Sequence, residues 1–330
     1  MKKSLSIYLA VLLTVLIYSC SDTTSKKTPK RPNIVFIMSD DHAYQAISAY
    51  DTTLIKTPNI DRLAKEGMLF TNASVTNSIC APSRAVILTG KHSHLNGKID
   101  NLSPFDTTNI TFPMLFQNAG YQTAMFGKLH FGNNPKGFDE FKILPGQGDY
   151  YNPRFITKEG DTTITGYVTD IITDLTMDWM EKRRDTAKPF LLMYLHKAPH
   201  RSWLPAARHY PEFTKNEYPL PETLFDNYQT RGDAAKTAEM GILKDMLLSY
   251  DLKIPESVLQ DLGISERLGA GGVTRLNETQ KAAWDAIYEP IAKDFLERYP
   301  NMNDSTLTAW KYQRYMQDYL GTIAAVDENV

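Results

Sequence analysis

The chain has 330 residues, 42% hydrophobic and 22% charged, with 36 Lys and Arg against 38 Asp and Glu. This composition excludes a disordered chain, a collagen and a coiled coil, and a net charge of −2 argues against a nucleic-acid partner. Two cysteines exclude a disulfide scaffold and a Cys-rich zinc site, and the length fits one large α/β domain or two ordinary ones.

Residues 1–19 read as a signal peptide: Lys2 and Lys3 precede an apolar stretch from Ile7 to Ile17, too short to span a membrane comfortably. The stretch closes on Ile17-Tyr18-Ser19-Cys20, which resembles a bacterial lipobox. That resemblance implies cleavage before Cys20 and a lipid on its sulfur. The expected location is exported, periplasmic or cell-surface, anchored to the bacterial membrane. Residues 20–31 then form the lipidated Cys and a polar tether.

Asn33 to Met38 is an apolar run bounded by Pro32 and Asp40-Asp41, and reads as a buried parallel strand. Thr57-Pro58 opens a helix, with Thr57 as N-cap and Gly67 as its end. Met68 to Val75 reads as a further strand or extended segment. Thr111 to Ala119 repeats the capped-helix pattern, and Tyr121 to Phe126 follows as a strand. A long amphipathic helix is expected from Val168 to Arg183, then a strongly apolar strand from Pro189 to Leu195. Residues 210–275 read as long loops with short helices, and Glu278 to Arg298 and Thr306 to Val330 as helices. Strands alternating with helices imply an α/β fold with a mostly parallel sheet and helices on both faces. Ligands of such sheets bind beyond the carboxyl ends of the strands. Three polar clusters fall there: Asp40-Asp41-His42, Gly127-Lys128-Leu129-His130 and His196-Lys197-Ala198-Pro199-His200.

Cys80-Ala81-Pro82-Ser83-Arg84, extended by Leu88-Thr89-Gly90, carries the strongest signal. Pro82 suits a first helical turn and Gly90 a helix end. Residue 80 then sits at a helix N-terminus, where free N–H groups and the dipole favour an anion. Arg84 adds a guanidinium suited to oxyanions. The segment resembles the signature of formylglycine-dependent sulfatases, of the alkaline-phosphatase-like superfamily. The resemblance implies that Cys80 becomes Cα-formylglycine through a maturation enzyme. It also implies that the hydrate of this aldehyde attacks sulfur and that its second hydroxyl later helps to expel sulfate.

Asp40-Asp41 suits a hard divalent cation, or a strand-end turn held by Asp side chains. By the resemblance, Asp40, Asp41 and residue 80 bind Ca2+. Gly127-Lys128-Leu129-His130 is similar to a second family motif. It implies that Lys128 contacts the sulfate and that His130 stabilises or deprotonates the formylglycine hydroxyl. The family also implies that His200 contacts the sulfate and the leaving oxygen, a general-acid role. Around it, Lys197, His196, Arg201 and Trp203 are candidates for binding a charged sugar and its apolar face. The wording HKAPHRSWLP is most similar to sulfatases acting on N-acetylglucosamine 6-sulfate in glycosaminoglycans. His92 and His94 read as polar loop residues, because no third ligand is evident. Asn72, Asn101 and Asn109 lie in glycosylation sequons that a lipobox-like start makes irrelevant.

The resemblance implies a later strand with an Asp-His or Asp-Asn pair and then a sulfate-gripping Lys. Neither follows the last helix, whose apolar stripe of Trp310, Tyr312, Tyr315, Met316, Tyr319, Ile323 and Val326 runs to the final turn. The expectation is a catalytic domain over 32–330 that is incomplete on its C-terminal side. Two alternatives stand beside a sulfatase. One is a phosphonate or phosphodiester hydrolase of the same superfamily. The other is an inactive fragment that at most binds sulfated glycan.

Overall fold

The computed structural model describes residues 30–266, 269 and 271–330. The leader and Cys20 lie outside the described residues. The chain divides into Met1–Asn33 and Ile34–Val330, and the second unit holds every element considered below. Its sheet has six strands: β1 (Ile34–Met38), β2 (Gln122–Lys128), β3 (Glu140–Leu144), β4 (Arg154–Thr157), β5 (Asp161–Thr163) and β6 (Phe190–Leu195). Their spatial order is β1-β6-β2-β3-β4-β5. The first four in that order are parallel, and β4 and β5 add an antiparallel end.

Both faces of the sheet are covered. Phe126, Leu192 and Tyr194 point to a core shared with Val168 and Ile172 of α4 (Val168–Asp178), Trp284 and Tyr288 of α5 (Glu278–Arg298), and Val326 of α6 (Asp304–Asn329). Met125, Met193 and Leu195 point the other way, against Ala81, Ala85 and Leu88 of α2 (Cys80–Thr89). Side chains alternate faces along a strand, so a strand covered twice must be apolar throughout. Phe190–Leu195 is therefore buried at every residue.

The remaining principal helices are α1 (Pro58–Glu66) and α3 (Phe112–Asn118). The stretch from Val168 to Arg183 is α4 continued by a π-helical turn at Trp179–Arg183. Among the described residues, no helix is long and apolar enough to cross a membrane.

Four local expectations need correction. β1 is parallel, but it is an edge strand with Val35 and Ile37 exposed, because among the described residues only β6 pairs with it. Met68 to Val75 forms no strand. No strand of the sheet offers it a ladder, and Met68, Phe70 and Val75 face solvent. Thr57 stands at the N-cap of α1 but makes no capping bond. Its hydroxyl accepts the Ser48 N–H and donates to Asp61. The cap comes instead from buried Asp327 of α6, which accepts the Asn59 and Ile60 N–H groups at 3.0 and 2.9 Å. Thr111 likewise precedes α3 without a side-chain cap.

One glycine positions the site. Gly127 has φ +111°, and a Cβ there would lie 1.8 Å from Leu195 O. Only glycine lets the end of β2 approach β6 this closely.

Candidate active site

The register aligns the carboxyl ends of the three neighbouring strands. Met38 pairs with Leu195, and Leu195 with Gly127. The next residues along each chain are the three polar clusters, so strand pairing brings Asp40, Lys128 and Lys197 together. The first residue of α2, Cys80, enters the same place from the side. Its Sγ lies 3.8 Å from Lys128 Nζ and 4.0 Å from Asp40 Oδ2.

Asp40 is the hub. Its carboxylate pairs with Lys128 Nζ and with Arg84 Nη2, the latter at 3.2 Å. Arg84 also donates to the Lys128 carbonyl, which ties α2 to β2. All three side chains are buried. Burial pushes the Asp40 carboxyl up, but Arg84 and Lys128 outweigh it and hold the group at about 2. Burial pushes Lys128 down despite its partner.

Asp41 differs from its neighbour. Its backbone is left-handed, with φ +61°, uncommon for a residue with a Cβ. The carboxylate is half exposed and lies 3.7 Å from His200 Nε2. Burial and then the Asp40 charge raise its pKa. Two adjacent carboxylates, one already disfavoured as an anion, make a place where a cation lowers the energy. Among the described residues, the compact group of possible metal ligands is Asp40, Cys80 and His200, with ligand atoms within 4.8 Å of one another. His200 thus stands in this group where the sequence reading had Asp41, whose half-exposed carboxylate lies 3.7 Å from His200 Nε2 at its edge. Sulfur and imidazole are not hard donors. An oxygen at position 80, with Asp40 and the nearby Asp41 carboxylate, is the set that suits calcium. The side chains fit that ion once Cys80 is converted.

The histidines of the site are held neutral. His200 is pushed down to about 3 by burial and then by Lys128 and Lys197. His130, also left-handed at φ +63°, is pushed down to about 4 by burial and then by Lys128, Arg84 and Lys98. His130 Nδ1 is buried without a hydrogen-bond partner, as is Arg84 Nε. Such unpartnered buried polar atoms beside two buried cations suit the binding of an anion. An anion bound there would offset Lys128 and Lys197 and draw the His200 pKa upward, toward the protonated form that a general acid needs. Lys197, pushed down to about 7 by burial and then by Lys128, lies over the Tyr150 ring at 4.6 Å. The Cys80 thiol is raised by burial, so unmodified it is no activated thiolate.

Three sequence candidates sit elsewhere or are committed. His196 is fully buried, with its ring edge-on to Tyr194 at 4.4 Å in the core on the α4 side. It is a core histidine rather than a sugar ligand, because its position in β6's alternation turns it to that face. Trp203 packs on Tyr315 at 4.6 Å, and its carbonyl accepts Lys253 Nζ at 2.8 Å. Arg201 is clamped by buried Asp251 through two 2.5 Å bonds, although it remains partly exposed. His92 and His94 stack on each other at the surface, and among the described residues they belong to no compact group of possible metal ligands.

Three supporting residues escaped the sequence reading. Asn101 Oδ1 accepts the Ala81 N–H at 3.0 Å and so caps the helix beside Cys80. Tyr150 donates to the His200 carbonyl at 2.6 Å. Tyr319 bonds the Asp41 turn. Only the sequon marks Asn101, Tyr319 reads only as part of an apolar stripe, and nothing local marks Tyr150.

The sulfatase family model matches residues 32–330. The chain belongs to the sulfatase family. It is 45% identical to the N-acetylglucosamine-6-O-sulfatase of Bacteroides thetaiotaomicron over all of this chain and 59% of that protein. It is 27% identical to the ulvan-active sulfatase of Formosa agariphila, over 89% of this chain and 62% of the relative. A structure solved in complex with its substrate, D-glucosamine-2-N,6-O-disulfate, superposes with a TM-score of 0.84 at 46% identity, over 91% of this chain and 60% of the other. The alkaline-phosphatase-like α/β fold expected from the sequence is the fold found. The chain spans about three fifths of the length of these relatives.

The charge pattern of this sulfatase-family site sets an acid limit on stability. His196 is buried and His130 and His200 are partly buried, and all three are held neutral, with pKa values of about 4 for His130 and about 3 for His196 and His200. Unfolded, each takes up a proton near pH 6.5. Their stabilising contribution is complete above pH 6.5 and is lost as pH falls toward 3. The Asp40 contribution is lost in turn between about pH 4 and 2. Melting temperature is therefore expected to fall steadily from pH 7 to pH 4. A flat profile over that range would show that these histidines are protonated in the fold.

Proposed function

We propose that the chain hydrolyses sulfate esters of sulfated sugars, of the glycosaminoglycan type, with 6-O-sulfated N-acetylglucosamine or glucosamine as the favoured unit. One observation carries this reading: Cys80 at the N-terminus of α2, facing Lys128 and Asp40. The similarity to an N-acetylglucosamine-6-O-sulfatase supports the sugar. Asp40, Asp41 and the converted residue 80 would hold calcium. When present, calcium and the formylglycine made from Cys80 supply electrostatic polarisation and a hydroxyl nucleophile. The chain's own residues do the rest. Lys128 and Lys197 neutralise the sulfate oxygens, and Arg84 holds Asp40 in place. His130 exchanges a proton with the hydroxyl at position 80, and His200, recharged by the bound anion, gives a proton to the departing sugar oxygen.

A lipid on Cys20 would hold this activity at an exported membrane surface, and a formylglycine-generating enzyme is the required partner. Cys20→Ala should move the chain from the membrane fraction to the soluble exported fraction. The reaction itself is tested by producing the chain with a maturation enzyme, following Cys80 by mass spectrometry and measuring sulfate released from glucosamine 6-sulfate. Aryl phosphate and phosphonate esters serve as competitors. Sulfate release in preference to phosphate or phosphonate is expected. The reverse preference, or Cys80 wholly unconverted in its host, would overturn the reading.

A further inference from the structure

Helix α6 reaches the Asp40–Asp41 turn through one side chain. Tyr319 is buried, and its hydroxyl makes two bonds to the turn. It accepts the Ala43 N–H at 2.8 Å and donates to Asp41 O at 3.0 Å. These bonds bracket the start of the segment whose first residue is left-handed. On the near side Asp40 is held by Lys128, by Arg84 and by its N–H to Ala198 O at 3.1 Å. Beyond Asp41 the side-chain bonds of His42 are local, with Ser39 Oγ at Nδ1, 2.9 Å, and Nε2 donating to Ala46 O at 3.0 Å. Neither of the His42 bonds ties the part of the turn after Asp41 to the rest of the fold, as the two Tyr319 bonds do. The Tyr319 ring continues into a stack, on Tyr315 at 5.3 Å and from Tyr315 to Trp203 at 4.6 Å. Trp203 follows His200 by three residues. The stack thus links the Asp41 turn to the loop that carries His200.

We propose that Tyr319 is a positioning residue for the cation site: its hydroxyl fixes the backbone of Asp41 so that this carboxylate stays beside Asp40. The proposal rests on the reading of Asp40 and Asp41 as calcium ligands. Removing the hydroxyl leaves a carbonyl and an amide of the turn without their partner and frees Asp41 to leave a conformation that residues with a Cβ disfavour. The carboxylate pair then loses its preorganisation, as when an outer partner of a metal ligand is lost.

Calcium affinity measured by calorimetry on the full chain, produced with a maturation enzyme and with Cys80 shown by mass spectrometry to be converted, tests this. Tyr319→Phe is expected to bind calcium about tenfold more weakly than the unmutated chain. Tyr312→Phe is the control. It lies on the same helix and gives up a bond to Pro219 O, and its affinity should stay within about twofold of the unmutated value, well short of that loss. If Tyr319→Phe binds calcium as tightly as the unmutated chain, the positioning role is overturned while the calcium reading stands. If the unmutated chain binds no calcium at about 1 mM, the cation reading fails and takes the proposal with it. Amide exchange supplies a measurement that needs no variant. The Ala43 amide should be protected, and exchange at the rate of a free loop amide would remove the Tyr319 bond on which everything here depends.

Discussion

Replacing Asp40 with alanine should cost the fold about 3–5 kcal/mol. Lys128 is fully buried and Arg84 nearly so, and Asp40 is the carboxylate that pairs with both. Without it, two cations remain in a low-dielectric site with no counter-charge. Asp40→Asn keeps the shape but not the charge, so it should lose most of the same stability. The double variant Asp40→Ala, Lys128→Met removes one of the stranded charges and should recover part of the loss. Urea denaturation of the three variants measures this. If both single variants lose under about 1 kcal/mol, well below the usual cost of breaking a buried pair, the cluster is hydrated and the account of the site is wrong.

The largest effect on turnover is expected at Cys80. On the proposed reaction, Cys80→Ala should lower kcat by about 10⁴-fold or more, as loss of a nucleophile does elsewhere. Stability should change little, because residue 80 is the half-buried first residue of α2 and its thiol makes only long contacts of 3.8 and 4.0 Å. That contrast separates the two variants: Asp40→Ala damages the fold, and Cys80→Ala damages the chemistry alone. Sulfate release from glucosamine 6-sulfate, measured beside melting temperature, reads both. A Cys80→Ala chain that still releases sulfate at the unmutated rate would exclude residue 80 as nucleophile.

Much of this molecule was legible where the determinant is local. The run Phe190–Leu195 is apolar at every position because both faces of its strand are covered. The start of α2 could be read from Pro82 and its end from Gly90, which adopts the left-handed conformation expected of a helix stop. Errors arose where a local pattern lacked its distant partner. Met68 to Val75 has the residues of a strand, but no neighbouring strand pairs with it. Thr57 stands where a cap belongs, but Asp327 from the last helix performs the capping. His196 and His200 are four residues apart, and one faces the α4-side core while the other faces Asp41.

By itself the sequence determined the family, the places of the three parallel strands β1, β2 and β6, and the candidate reactive groups beyond their ends. Cys80 with Arg84, Asp40 with Asp41, and Lys128 with His130 each lie within a few residues of one another, so local spacing is enough to reveal them. Only the tertiary structure decided which groups meet and in what state of charge. Lys128 reaches Asp40 across 88 residues, and Tyr319 reaches Asp41 across 278. Those meetings depend on the order β1-β6-β2, which is set by backbone pairing between distant segments. Burial then follows from that order. It keeps His130 and His200 neutral and brings Lys197 to about 7, while Arg84 and Lys128 hold Asp40 charged against it.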